Sequence, residues 1–142
     1  MKIVGYISSD SFTNGFINQQ IQNSSIKNFL TDTGHEFLLS WTEYKQHSRL
    51  AWRSLLKETY YQGVCFYSYE QIEGSKDLLN DISILINKNI IVAFAKEKIL
   101  LTTNDEFKNF LTIYQLSIDI NNNYKLGDWL ERTKEFFQPT PQ

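Results

Sequence analysis

Short apolar runs alternate along this chain with longer stretches in which apolar residues recur at helical spacing. Lys2 to Ser8 is a continuous β-prone run, the pattern of a strand buried on both faces. Ser9 to Ile17 carries Asp10, Asn14 and Gly15 and reads as a loop. From Asn18 to Thr33 the apolar positions Ile21, Ile26, Phe29 and Leu30 make an imperfect helical stripe that Gly34 ends. Glu36 to Trp41 reads as a second strand, and Ser48 to Tyr61, with Leu50, Ala51, Leu55 and Leu56 on one face, as a second helix closed by Gly63. Val64 to Tyr67 is a third strand, Asp77 to Asn87 an amphipathic helix, Ile90 to Ala95 a fourth strand and Lys98 to Leu101 a short fifth. Thr103-Asn104-Asp105-Glu106 has the form of a helix start with a capping box. That helix runs through Phe107, Phe110, Leu111 and Tyr114 until Asn121-Asn122-Asn123 breaks it, and Leu126 to Phe137 forms a last helix.

Strands alternating with helices predict an α/β fold: three layers, with a mostly parallel four- to five-stranded sheet and helices on both faces, resolvase-like or flavodoxin-like. Crossovers are expected to be right-handed. Residues 1–120 form the α/β domain, 121–137 a C-terminal helical extension of it, and 138–142 a disordered tail that holds both prolines.

Composition narrows the class. A chain of 142 residues is one domain of ordinary size. It can bury a core without disulfides, and its single cysteine, Cys65, lies in an apolar run where a reduced core thiol is expected. The opening run is too short for a signal peptide, and no segment approaches the roughly 18 apolar residues of a membrane span, so a cytoplasmic protein with no membrane partner is expected. A formal net charge of −2 argues against general nucleic-acid affinity. With two histidines, one cysteine and no metal-ligand spacing, no metal site is expected, and the absence of a glycine-rich phosphate loop argues against a dinucleotide or other cofactor.

In open α/β sheets, ligands bind outside the carboxyl ends of the strands. The predicted strands stop at Ser8-Ser9-Asp10, at Ser40-Trp41-Thr42-Glu43-Tyr44, at Tyr67-Ser68-Tyr69-Glu70-Gln71 and at Lys96-Glu97, so hydroxyls, carboxylates and aromatics share one sheet edge. Glu43 and Glu97 are the acid/base candidates, since a carboxylate buried beside another has its pKa raised toward neutrality. Tyr6, Tyr44 and Tyr67 have the chemistry to stack on a sugar or to donate a hydrogen bond. Ser9 lacks the Gly-x-Ser-x-Gly context of a nucleophile elbow and suits a turn or a cap better.

The order of elements resembles the catalytic domain of serine recombinases, and Gly5-Tyr6 matches the start of that family's Gly-Tyr-x-Arg-x-Ser strand. Position 8 is serine instead of the arginine and position 10 is aspartate instead of the nucleophilic serine; Glu70-Gln71-Ile72-Glu73-Gly74 stands where that family has Asp-Arg-Leu-x-Arg. Without nucleophile or cations, the resemblance implies a shared fold and not the phosphotransfer. The chain also resembles a family of small bacterial proteins known as sporadic carbohydrate cluster proteins, over roughly residues 3–118. The matching residues are Gly5-Tyr6 with Ser9, Phe12 and Gly15; Gln19, Gln22 and Asn23; Leu38-Leu39-Ser40-Trp41-Thr42-Glu43-Tyr44; Gly63 with Tyr67, Ser68 and Gln71; and Phe94-Ala95 with Glu97. Asp10, Asn18 and Gln20 depart from that family's basic residue, proline and histidine.

That second resemblance implies a context in bacterial surface-polysaccharide synthesis. In that context the strand ends are expected to bind a sugar or nucleotide sugar, held by Tyr6, Ser9, Gln19, Gln22, Asn23, Ser40, Thr42, Tyr67, Ser68 and Gln71. Glu43, Glu97 and Tyr44 would be the catalytic candidates, for a cofactor-free isomerisation, epimerisation or elimination. The competing expectation is a non-catalytic interaction module on a degenerate recombinase-like fold, a homodimer joined through the C-terminal helices with Trp129, Leu130, Phe136 and Phe137 facing the partner.

Overall fold

The structure, a computed structural model, describes residues 1–9, 11–12, 15–44 and 49–123, without the side chains of 11–12, 15–16, 118 and 121–123. Its centre is strand β1 (Lys2–Ser8), buried from Ile3 onward, as an uninterrupted apolar run requires. Strand β4 (Glu36–Glu43) pairs parallel on one side of β1 and β5 (Gly63–Phe66) on the other. Strand β6 (Ile91–Phe94) continues parallel to β5, and β7 (Ile99–Leu101) closes the edge antiparallel to β6. The order β4-β1-β5-β6-β7 makes a mostly parallel five-stranded sheet. Inside the segment expected to be plain loop, β2 (Ser11–Phe12) and β3 (Gly15–Phe16) form a separate two-stranded hairpin.

Helix α1 (Gln19–Asp32) is capped by the Asn18 side chain, which accepts from Gln20 N, and ends before Gly34 at φ +81°. Its buried stripe is Gln22, Ile26 and Leu30, of which Ile26 and Leu30 pack with Ile3, Ile7, Cys65, Tyr67, Ile91 and Ala93 of the sheet. Close approach fixes Gly5 here: a Cβ at that position would lie 2.3 Å from Ser40 Oγ. The alternate residues of β1, β5 and β6 meet a different set. Tyr6 packs edge-on against Trp52 of α2 (Leu50–Leu56) and against Phe66, with centroids 5.2 and 5.4 Å apart, and Phe66 stacks on Phe94. Trp52 Nε1 donates to Asp81 Oδ2 of α3 (Lys76–Asn87) at 2.9 Å. Helix α3 is capped by Ser75 and buries Leu78, Ile82, Leu85 and Ile86 at spacings of four, three and one, the stripe its sequence predicts.

Two helices differ from expectation. Helix α2 stops at Leu56, because Tyr61 turns inward to donate to the Leu55 carbonyl at 3.0 Å and Gln62 is already engaged with the sheet, its N donating to Lys2 O and its O accepting from Ile91 N. Helix α4 (Asn104–Asn123) continues through the three asparagines; asparagine costs less than about 0.7 kcal/mol of helix propensity relative to alanine, too little to break a helix alone. The expected helix at 126–137 and the tail lie outside the described residues, as do Asp10 and His47.

The chain divides into two compact units, Met1–Asn104 and Asp105–Gln142. In the second unit the described residues are the body of α4, which leaves Ile113, Leu116 and Ile120 exposed at spacings of three and four. Among the described residues no helix is long and apolar enough to cross a membrane.

Candidate functional site

The strand order reverses direction between β1 and β5, which makes their carboxyl ends the topological switch point. Glu43, the last residue of β4, is buried there. Its Oε2 accepts from the Tyr6 hydroxyl at 2.8 Å and from Trp52 N at 3.0 Å, and Oε1 from Ala51 N at 3.3 Å. The residue before α2, Arg49, lies in the left-handed region at φ +51° and provides no side-chain cap, so the Glu43 carboxylate caps that helix from across the fold. Arg49 instead points back: Nη1 donates to the Tyr6 hydroxyl at 3.5 Å and Nη2 to the Gln71 carbonyl at 3.4 Å. Burial lifts the Tyr6 phenol well above its ordinary value; the Arg49 hydrogen bond opposes this and the Glu43 carboxylate adds to it. Tyr6 is therefore a neutral donor at physiological pH, and Glu43 is a positioning group at a helix N-terminus.

A second knot follows β5. A short 3₁₀ turn, Tyr69–Gln71, is closed by a capping box between Ser68 and Gln71. Ser68 Oγ donates to Glu97 Oε2 at 2.8 Å while Glu97 Oε1 accepts from Tyr69 N at 3.1 Å, which ties the end of β6 to the end of β5. Glu70 pairs with Lys96 at 2.8 Å, and that contact holds the lysine pKa above its ordinary value against the effect of burial. Gln71 reaches furthest: Oε1 accepts from Ser68 N at 3.0 Å, and Nε2 donates to the Tyr6 carbonyl at 2.9 Å.

Gln22 does the same for the other side of β1. Its Oε1 accepts from Ser8 N at 3.0 Å, and Nε2 donates to Ser8 O at 2.7 Å and Ile17 O at 2.8 Å. Two buried amides from outside the sheet thus satisfy the backbone at the end of β1. Ser9 Oγ donates to the Tyr44 and Glu43 carbonyls at 3.0 and 3.3 Å, and Ser40 donates to Asn23 Oδ1 at 2.5 Å. Tyr44 is 68% exposed, while Gln19, Asn23, Thr42 and Glu97 are partly exposed.

The structure therefore brings Tyr6, Ser9, Gln22, Glu43, Ser68, Gln71 and Glu97 to the carboxyl end of the sheet, joined to one another or to the same backbone segments. Among the described residues no buried side-chain N or O lacks a partner. Nor do three His, Cys, Asp or Glu side chains gather there as a metal-ligand set. Cys65 is fully buried and its thiol is pushed far up by burial, which removes it as a nucleophile.

Sequence reasoning missed Arg49, whose left-handed backbone no residue pattern announces. It also missed a cleft of about 490 Å³ lined by Ser25, Asn28, Phe29, Asp32, Thr33, Tyr67, Ala95, Lys96 and Lys98. Of the candidate site residues, Tyr67 alone lines it. Its wall is α1 and its floor the ends of β5 and β6. The chain matches no protein-family model, and no curated protein or solved structure matches it either.

Proposed function

We propose that this is a cytoplasmic protein of bacterial surface-carbohydrate biosynthesis, which binds or modifies a sugar or nucleotide-sugar intermediate at the carboxyl ends of its parallel strands. The observation that carries the reading is the convergence there of polar side chains from four strand ends and from α1, with Ser9, Tyr44 and Glu97 still reachable by solvent. The motif resemblance to sporadic carbohydrate cluster proteins supplies the substrate class, since Tyr6, Ser9, Gln22, Glu43, Ser68, Gln71 and Glu97 both carry it and belong to this network. The strand order is that of the flavodoxin-like arrangement apart from the antiparallel edge, which supports a three-layer fold of flavodoxin-like or resolvase-like kind.

Within this reading Glu97 is the better proton-transfer candidate. It is partly exposed and keeps a hydroxyl partner, whereas Glu43 is committed to Tyr6 and to α2. A thermal-shift screen against nucleotide sugars, free sugars and sugar phosphates tests the reading. A ligand present at about 100 times its Kd stabilises the native state by about 2.7 kcal/mol, an easily measured rise. One sugar class should raise the midpoint, and Glu97→Gln should alter turnover or affinity without altering the fold. A flat response to every class at millimolar concentration would reject the proposal.

A second reading has its own observation. The exposed Ile113, Leu116 and Ile120 form a helical stripe on α4, as a dimerisation module would need. Under that reading Leu116→Asp halves the mass in light scattering; an unchanged mass counts against it.

A further inference from the structure

At the switch point, where an α/β protein of this strand order ordinarily receives its ligand, two buried amides hold the end of β1. Gln71 holds the Tyr6 carbonyl and Gln22 holds both backbone groups of Ser8. Both amides are buried and spend bonds on that backbone, Gln22 both of its N–H donors and Gln71 one of them. One step along the sheet edge a cleft opens between α1 and the β6–β7 turn.

Three features of that cleft define a ligand. Its volume, about 490 Å³, lies within the roughly 300–1,000 Å³ usual for small-molecule sites. Two aromatic residues line it, the partly buried Phe29 and Tyr67, which is 9% exposed. Such rings suit the C–H face of a pyranose, not a fully polar solute. Around them stand Ser25, Asn28 and Asp32 on α1, side chains that between them donate to and accept from hydroxyls.

The third feature is charge. The β6–β7 hairpin closes with a turn from Ala95 to Lys98, in which Lys98 N donates to Ala95 O at 3.2 Å and Lys98 adopts φ +57°. The turn geometry asks for glycine or asparagine there, and a lysine costs about 1 kcal/mol more in that conformation. The lysine sets an ammonium on the cleft lining, and among the described residues no carboxylate lies within ion-pair distance of it. Lys96 beside it is already held by Glu70. One uncommitted cation on the lining suits one anionic substituent.

We propose that this cleft binds an acidic sugar, a monosaccharide unit carrying a phosphate or a carboxylate, with its ring against Tyr67 and Phe29, its hydroxyls toward Asn28 and Asp32, and its anion on Lys98. The proposal rests on the sugar-binding reading above and adds a place and a charge to it.

The test is a two-dimensional amide NMR titration of the full chain with glucose 6-phosphate, glucuronate, glucose and inorganic phosphate, alongside the thermal-shift panel. The variants are Lys98→Asn, which keeps a residue tolerant of the left-handed turn, and Asn28→Ala, which sits at an exposed helix position. The expected result is that the two acidic sugars perturb amides of residues 25–33 and 95–98 and bind more tightly than glucose. Their affinity should fall roughly three- to tenfold in Lys98→Asn and with added salt, as removing one exposed charge contact predicts. Inorganic phosphate binding as tightly as the sugar phosphate would overturn the proposal in favour of a bare anion site. A nucleotide sugar that perturbs Ser9 and Tyr44, leaves the cleft unmoved and ignores Lys98→Asn would overturn the proposal while sparing the sugar-binding reading. No binding by any sugar overturns both.

Discussion

Glu43 caps α2 from across the fold, and the consequence is energetic before it is chemical. Glu43→Ala leaves the Tyr6 hydroxyl and two helix N-terminal N–H groups without their acceptor, and Arg49 without a neighbouring negative charge. A loss of about 3 kcal/mol is expected in urea unfolding, and Glu43→Gln, which keeps an acceptor oxygen, should lose less. Glu97→Gln should cost under about 1 kcal/mol, because its carboxylate is partly exposed and the amide oxygen still accepts. The reverse ranking would make Glu43 the accessible carboxylate. His35 gives a second single-residue test. Its Nδ1 lies 3.4 Å from the N-terminal ammonium, and burial, then that charge, lowers its pKa from 6.5. The folded state therefore favours the neutral ring. The associated stability is complete above the ordinary value and is lost as pH falls through the lowered one. In a series of urea midpoints from about pH 7 to about pH 5, His35→Gln should flatten the decline.

At the scale of elements, the two glutamines decide how β1 ends. β5 ends at Phe66, opposite Tyr6, so the last backbone groups of β1 need partners from elsewhere, and Gln22 supplies both for Ser8. Gln22→Leu keeps the volume and the helix but strands three polar groups. It should cost about 2–4 kcal/mol, against about 1 kcal/mol for Asn23→Ala, which gives up a single part-buried hydrogen bond. The signal for Gln22 was present in the sequence. It stands four residues before Ile26 and eight before Leu30, on the stripe α1 buries, and a polar residue on such a stripe must be hydrogen-bonded inward. Strands and helices were legible because apolar runs and helical stripes are local signals; the bounds of β1 and α1 came out within a residue. The end of α2 was not, because what stops it is Tyr61 and Gln62 meeting distant partners. The candidate site was legible as a set of strand ends. Which of those residues are structural was not, since that depends on pairings between residues as far apart as Tyr6 and Gln71.

For the molecule as a whole, the distribution of charge separates a one-anion ligand from a polyanion. Lys96 is paired with Glu70, Arg49 is turned inward onto Tyr6 and Gln71, and the carboxylates Glu43, Glu70 and Glu97 lie at the carboxyl ends of the strands. Duplex binding needs several phosphates neutralised at once, with a salt dependence of about −0.9 per phosphate in log K against log salt. A chain of formal charge −2 with Lys96 and Arg49 so committed does not meet that requirement. Fluorescence anisotropy with a labelled duplex at about 50 mM salt should stay flat up to tens of micromolar protein, where even non-specific binders of about 10⁻⁴ to 10⁻⁶ M begin to respond. A rise that collapses steeply with salt would restore the recombinase-like reading and require cations outside the described residues. A flat trace together with salt-sensitive binding of a single acidic sugar would fit strand-end cations already paired or turned inward and one lysine on the lining of the cleft beside them.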